Sequence, residues 1–210
     1  LLPRLDRTKI EPLVLLPDDS DDLRDRLAAI EIETWQRTMP AWRKPKAWPG
    51  MALYIGEIVW EIYKRRIDVV LALNVNESPA AVLSGWLSGR PSAVWFQDSL
   101  IAPAKARAYL LHRADAVAAI SEYMREKVQQ VRPKGQIKVV YNGVDPEQFD
   151  PRRVTSDLRA RLNIAPDELA LGMAGRIMDI KGQMELIQAL ALLKERGLRP
   201  KVLLAGTAKE

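Results

Sequence analysis

The chain has 210 residues, 48% of them hydrophobic, and its 32 Lys and Arg exceed 27 Asp and Glu by a formal charge of +5. That length holds one large domain or two small ones, and the slight basic excess favours anionic partners without choosing among phosphates, nucleic acid and membrane surfaces. The absence of cysteine excludes disulfides, thiolate metal sites and cysteine nucleophiles, and the single histidine, His112, excludes histidine-rich metal clusters.

Ser20 reads as the cap of a first helix, with Asp21 and Asp22 in its first turn. Asp19-Ser20-Asp21 also spells an Asp-x-Asp metal motif, but the capping role accounts for the same residues, so no metal is expected there. The stretch "TWQRTMPAWRKPKAWPG" (34–50) sets Trp35, Trp42 and Trp48 among Arg37, Arg43, Lys44 and Lys46, and no acid occurs between Thr34 and Gly56. Its three prolines oppose a regular helix across the whole stretch. Two readings stand: a peripheral contact with an anionic membrane, or tryptophans packed inward beneath solvated cations.

Gly50 to Arg66 then reads as a long helix, followed by a strand over 67–73 and a helix from Ser78 to Leu87. "SAVWF" (92–96) predicts a strand and Ala102 to Arg113 a helix. "DAVAAI" (115–120) predicts a strand leading into a helix capped by Ser121, and "QIKVVY" (136–141) another strand. Short apolar runs without polar alternation suit strands buried on both faces, which predicts a parallel sheet covered by helices.

"NGVDPEQFDPRR" (142–153) breaks this rhythm with two prolines, an Asn-Gly pair and a run of charges, as a link between domains would. Asn142-Gly143 is expected to turn, and Asp145 to fix the loop through backbone hydrogen bonds. Beyond it come a helix from Ser156 to Leu162, a strand over 169–174, a helix over 183–196 and a strand over 201–205. In "GRIMDIKG" (175–182) a glycine ends the strand, Arg176 follows it, and Lys181 stands at the start of the next helix. Leu186, Ile187, Leu190 and Leu193 are expected on that helix's buried face. Two cations around a strand-to-helix turn suit an anion, and the spacing alone equally allows a solvated loop with incidental charges.

The ordered set "ADAVAAISEYMREKVQQ", "IKVVYNGVDPEQFDP", "LGMAGRIMDIKGQMELIQALALL" and "KVLLAGT" resembles the retaining glycosyltransferases of family four, which have the GT-B fold. The resemblance covers Ala114 to Thr207, with a weaker match upstream. It implies an α/β chain with two Rossmann-like domains, both incomplete here: an acceptor-side domain over 1–141, a crossover over 142–154 and the start of a nucleotide-sugar-binding domain over 155–210, with the donor cleft between the domains. It further implies a metal-independent hexosyl transfer of the kind used in polysaccharide biosynthesis. Gly175, Arg176 and Lys181 would hold the donor diphosphate, and a nucleotide-sugar would serve as substrate rather than cofactor.

Two departures accompany the resemblance. Gln97, followed by Asp98, stands where the family often has a histidine near the reacting sugar. The family's spaced pair of glutamates has no counterpart before the chain stops, and the glycine-rich loop that opens its first domain is not seen. The chain alone is therefore expected to be inactive and both ends to be cut from something longer. An epimerase of the same fold and an inactive partner-binding homologue remain as alternatives. No nucleic-acid recognition motif is present. Charges begin at Arg4 without a long apolar segment and no apolar run can span a bilayer, so the expected location is cytoplasmic, with a peripheral contact at the inner membrane face as the open addition.

Overall fold

The computed structural model describes residues 2–97, 107–131, 133–153 and 156–207. The chain forms two compact units, Leu1–Val144 and Asp145–Glu210.

In the first unit, β1 (Leu13–Leu16) pairs in parallel with β2 (Glu33–Gln36) across the helix α1 (Asp21–Ala28). Neither strand is anticipated by the sequence, because the apolar run of β1 stops at Pro17 after four residues and β2, "ETWQ", is largely polar. Ser20 does stand at the N-cap of α1, yet its side chain makes no capping bond. Asp21 instead pairs with Arg24 one turn on, at 2.7 Å.

A second sheet takes β3 (Val70–Ala72), β4 (Ser92–Phe96), β5 (Ala116–Ala119) and β6 (Gln136–Val139) in sequential order, all parallel. The helices α2 (Trp48–Arg65), α3 (Ser78–Ser88) and α4 (Glu122–Gln129) belong to the same unit. α2 starts two residues earlier than expected, because Pro49 is tolerated in a first turn, and it stops at Arg66 in the left-handed region (φ 54°). Met51, Tyr54, Ile55, Ile58 and Ile62 are buried at helical spacing on one face.

α3 approaches its neighbours on small residues. A Cβ on Gly85 would lie 2.8 Å from the Arg90 carbonyl oxygen. The buried hydroxyls of Ser84 and Ser88 donate back to the carbonyls of Ala80 and Ser84, both at 2.7 Å, so neither hydroxyl is stranded. Val94, Leu111, Val117 and Val128 fill the core between sheet and helices. Ser121 caps α4 as expected, accepting from the Met124 N–H at 3.2 Å. The helix expected over Ala102–Arg113 falls partly outside the described residues, and its end is a 3-10 turn, Leu111–Arg113, entered through Leu110 at φ 56°.

Asp115 ties the starts of two strands together. Its carboxylate accepts from the Ser92 N–H at 2.9 Å and from the Ser92 hydroxyl at 3.1 Å. These bonds, led by the backbone one, hold its pKa below the usual 3.8. A depressed carboxyl pKa contributes stability that is present above the unfolded value and lost as pH falls through the folded one. Urea unfolding measured from pH 6 down to pH 2 should therefore show the wild type losing stability below about pH 4 more steeply than Asp115→Asn. Superimposable profiles would remove Asp115 from the acid limb.

The second unit holds α5 (Leu158–Arg161), β7 (Ala170–Ala174), α6 (Gln183–Glu195) and β8 (Lys201–Ala205). β7 and β8 are parallel, running from Ala170↔Lys201 to Ala174↔Ala205, with α6 as the crossover. Leu186, Leu190 and Leu193 of α6 are half-buried, but Ile187 is 51% exposed. It lies about 100° around the helix from Leu186 and so leaves the packed face. Among the described residues no helix is long and apolar enough to cross a membrane.

Asn142-Gly143 makes no turn. Gly143 is absent from the left-handed region, and the turn comes later, over 146–149. There Asp145 Oδ1 accepts from the N–H groups of Glu147 (2.9 Å) and Gln148 (3.4 Å). The carboxylate following the glycine, rather than the glycine itself, organises this loop.

Candidate functional site

The loop 175–182 leaves the carboxyl end of β7, the edge at which parallel α/β sheets receive ligands. Backbone bonds fasten it to the end of β8: Gly175 N–H to Ala205 O at 2.8 Å and Ile177 N–H to Thr207 O at 3.0 Å. The approach is so close that a Cβ on Gly206 would sit 1.9 Å from the Gly175 carbonyl oxygen. At the other end Gln183, the first residue of α6, donates through Nε2 to the Arg176 carbonyl at 2.9 Å. Gln183 escaped the sequence reading, which treated it only as the start of a helix.

Arg176 and Lys181 are both exposed on this loop, and neither forms an ion pair with any described residue. Lys181 is not in the first turn of α6, as the sequence suggested. It ends a 3-10 turn, Asp179–Lys181, and Gly182 at φ 80° separates it from Gln183. The intervening glycine resets the backbone, so α6 begins at Gln183, as the sequence predicts, and its first-turn charge is the acid Glu185. Lys181 therefore owes nothing to the helix, and the loop presents two exposed cations that form no ion pair with a described residue. Ile177 (48% exposed) and Ile180 (79%) lie between them and offer apolar surface beside the charge.

In the first unit, Gln97 is exposed immediately beyond the carboxyl end of β4, while Asp98 lies outside the described residues. Asn142 and Gly143 follow β6, and Asp145 opens the second unit. His112 sits at the opposite edge: it precedes β5, and its carbonyl accepts from the N–H of Lys134, ahead of β6. Its place at the amino ends of the strands separates it from a ligand at their carboxyl ends. Among the described residues no group of three or more His, Asp or Glu is arranged to hold a metal ion.

The segment 34–50 resolves into parts. Trp35 and Trp42 pack against the α2 core cluster, and Trp48 is 63% exposed. Trp42 also meets Tyr109 edge-on, with ring centroids 5.2 Å apart at 84°.

The family model for Glycosyltransferase Family 4 matches residues 1–148, more than half of the chain. The chain belongs to this family. The matched span covers the first unit and stops before Arg176 and Lys181, so glycosyltransferase family 4 membership rests on residues other than the cationic loop. EpsF of Bacillus subtilis, a glycosyltransferase by name, is 37% identical over 71 residues, which is 33% of this chain and 18% of EpsF.

Solved structures are similar over more than nine-tenths of the chain and support the GT-B fold. A glycosyltransferase from Rickettsia africae shares 17% identity at a TM-score of 0.72, covering 92% of this chain and 59% of that one. HepE of Anabaena, solved with UDP and glucose, shares 22% identity at a TM-score of 0.70 over 94% of this chain and 54% of HepE. A further HepE structure holds UDP-glucose. The chain thus spans little more than half the length of these first two structures.

Proposed function

We propose that the protein transfers a hexosyl group from a nucleotide-sugar to an acceptor with retention at the anomeric carbon, and that Arg176 and Lys181 hold the donor diphosphate. The observation that carries this reading is the pair of exposed cations, without ion-pair partners among the described residues, on the loop leaving β7. Breaking the bond between the anomeric carbon and the diphosphate oxygen leaves an electron pair, and growing negative charge, on the departing diphosphate. Fixed cations stabilise that charge more in the transition state than in the ground state, without requiring a metal. Gly175 keeps the strand end open to the phosphates, and Gln183 fixes the Arg176 backbone. The UDP and UDP-glucose held by HepE support a nucleotide-sugar as the donor. On the acceptor side, Gln97 and Asp98 would meet sugar hydroxyls, and the chemistry suits assembly of polysaccharide on a sugar or lipid-linked acceptor.

Because the chain alone is expected to be inactive, the test is transfer from a panel of nucleotide-sugars by the longer protein it is expected to belong to, with the anomeric configuration of the product read by NMR. Product with the donor's configuration supports the reading. Inverted product, or epimerised nucleotide-sugar with no transfer, overturns it.

A peripheral membrane contact forms part of this proposal. Trp48 is exposed beside exposed Lys44 and Lys46, and each cation adds about 1 kcal/mol of attraction to an anionic leaflet. Sedimentation with phosphatidylserine vesicles, absent with phosphatidylcholine and weakened when Lys44 and Lys46 become Gln, is the expected result. Equal sedimentation of wild type and variant would end the membrane role.

A further inference from the structure

Arg43 lies in the connection from β2 to α2, Asn76 just beyond β3, and Tyr109 in the connection from β4 to β5. Three loops from the first unit thus converge here, two of them leaving the strands on the ligand-receiving edge of the second sheet. The guanidinium carbon stands 5.6 Å from the Trp42 ring centroid and 5.3 Å from that of Tyr109. One nitrogen, Nη2, makes both anchoring bonds, to Asn76 Oδ1 and to the Tyr109 hydroxyl at 2.5 Å. Nε and Nη1 bond no described residue, and no described carboxylate pairs with the charge. Glu77, the neighbouring acid, accepts from Asn74 Nδ2 at 2.5 Å instead.

The loops do not need this cation to stay together. Trp42 Nε1 already donates to the Asn76 carbonyl at 3.1 Å, and the buried Ser78 hydroxyl donates to the Tyr109 carbonyl at 2.6 Å. A neutral side chain could complete such a clamp. What Arg43 adds is a planar charge held in place by neutral groups, with donors that bond no described residue, at a sheet edge suited to ligands.

We propose that Arg43 is an acceptor-specificity residue: its Nε and Nη1 N–H groups, which bond no described residue, bind an oxyanion, carboxylate or phosphate, carried by the acceptor. The inference rests on the glycosyltransferase reading for the identity of the ligand as acceptor, but the binding is tested separately. Each probe, methyl glucuronide for the carboxylate source, glucose 1-phosphate for the phosphate source and methyl glucoside as the neutral control, is titrated into the isotopically labelled protein. The Arg43 Nε–H and Trp42 Nε1–H NMR signals are followed.

One or both anionic probes should shift these signals while the neutral sugar does not, and the more effective probe names the source. Arg43→Gln should weaken that binding about ten-fold or more, and Arg43→Lys several-fold, because the ammonium keeps the charge but loses the fork. Tyr109→Phe, which removes one anchoring bond and keeps the ring, provides a second variant should Arg43→Gln disturb the fold, and should weaken binding several-fold. Absence of any shift in the wild type, equal shifts with the neutral sugar, or undiminished binding in folded Arg43→Gln would overturn the proposal. A UDP titration read at residues 175–182 reports on the donor site independently, so failure there leaves the Arg43 result distinguishable.

Discussion

Arg176→Ala lowers turnover by about 10²–10³-fold, the scale seen when one preorganised group facing a developing negative charge is removed. Lys181→Ala has an effect of the same order. The distinguishing feature is the split between constants. The charge on the departing diphosphate is larger in the transition state than in bound donor, so kcat falls at least as far as KM rises. Initial-rate measurements over a range of nucleotide-sugar concentrations provide the check. Unchanged kcat in both variants would remove these side chains from the chemistry. A rise in KM alone would reduce them to uniform binding of the donor.

Gly206→Ala carries the second large effect, through the backbone that positions the same loop. A methyl at this position would overlap the Gly175 carbonyl oxygen at 1.9 Å and approach its carbonyl carbon at 2.8 Å. Two backbone segments must move apart, and the bonds from Gly175 to Ala205 and from Ile177 to Thr207 are stretched. Overpacking of this kind costs about 1–3 kcal/mol. Gly172→Ala is the matched control within β7, because a Cβ there meets nothing within 4 Å. Alanine also restricts the unfolded chain more than glycine does, so this control should be neutral or slightly stabilising. Urea unfolding of the two variants should separate them by about 2 kcal/mol or more, with UDP affinity lowered only in Gly206→Ala. Equal midpoints would mean that the loop accommodates the methyl.

The sequence foretold elements where a continuous apolar run or a helical repeat marks them. α2 repeats its buried positions from Met51 to Ile62, and that repetition shows even without tertiary contacts. β7, α6 and β8 were legible as a strand–helix–strand unit for the same reason. β5 and β6 also have four residues each but sit in the longer runs "DAVAAI" and "QIKVVY", whereas the apolar run of β1 is cut off by Pro17 and β2, "ETWQ", has no apolar run at all. β3 was expected over seven residues and pairs over three, since where a strand stops depends on its neighbour, here β4.

The site divides in the same way. Arg176 and its glycine were visible as local punctuation at the end of an apolar run. The displacement of Lys181 from the helix was not, because it depends on Gly182 adopting a positive φ. Arg43 was visible only as one cation among tryptophans. Its partner Tyr109 lies 66 residues away, and no local spacing can report that contact.

The central claim, that the loop leaving β7 receives a nucleoside diphosphate, is tested most directly by titrating UDP into the isotopically labelled protein and following backbone amide NMR signals. The account predicts saturable shifts at Arg176, Ile177, Lys181 and Gly182, abolished in the Arg176→Ala, Lys181→Ala double variant while the remaining spectrum is preserved. Saturable UDP binding that leaves residues 175–182 unperturbed, or that survives unchanged in the double variant, would contradict it.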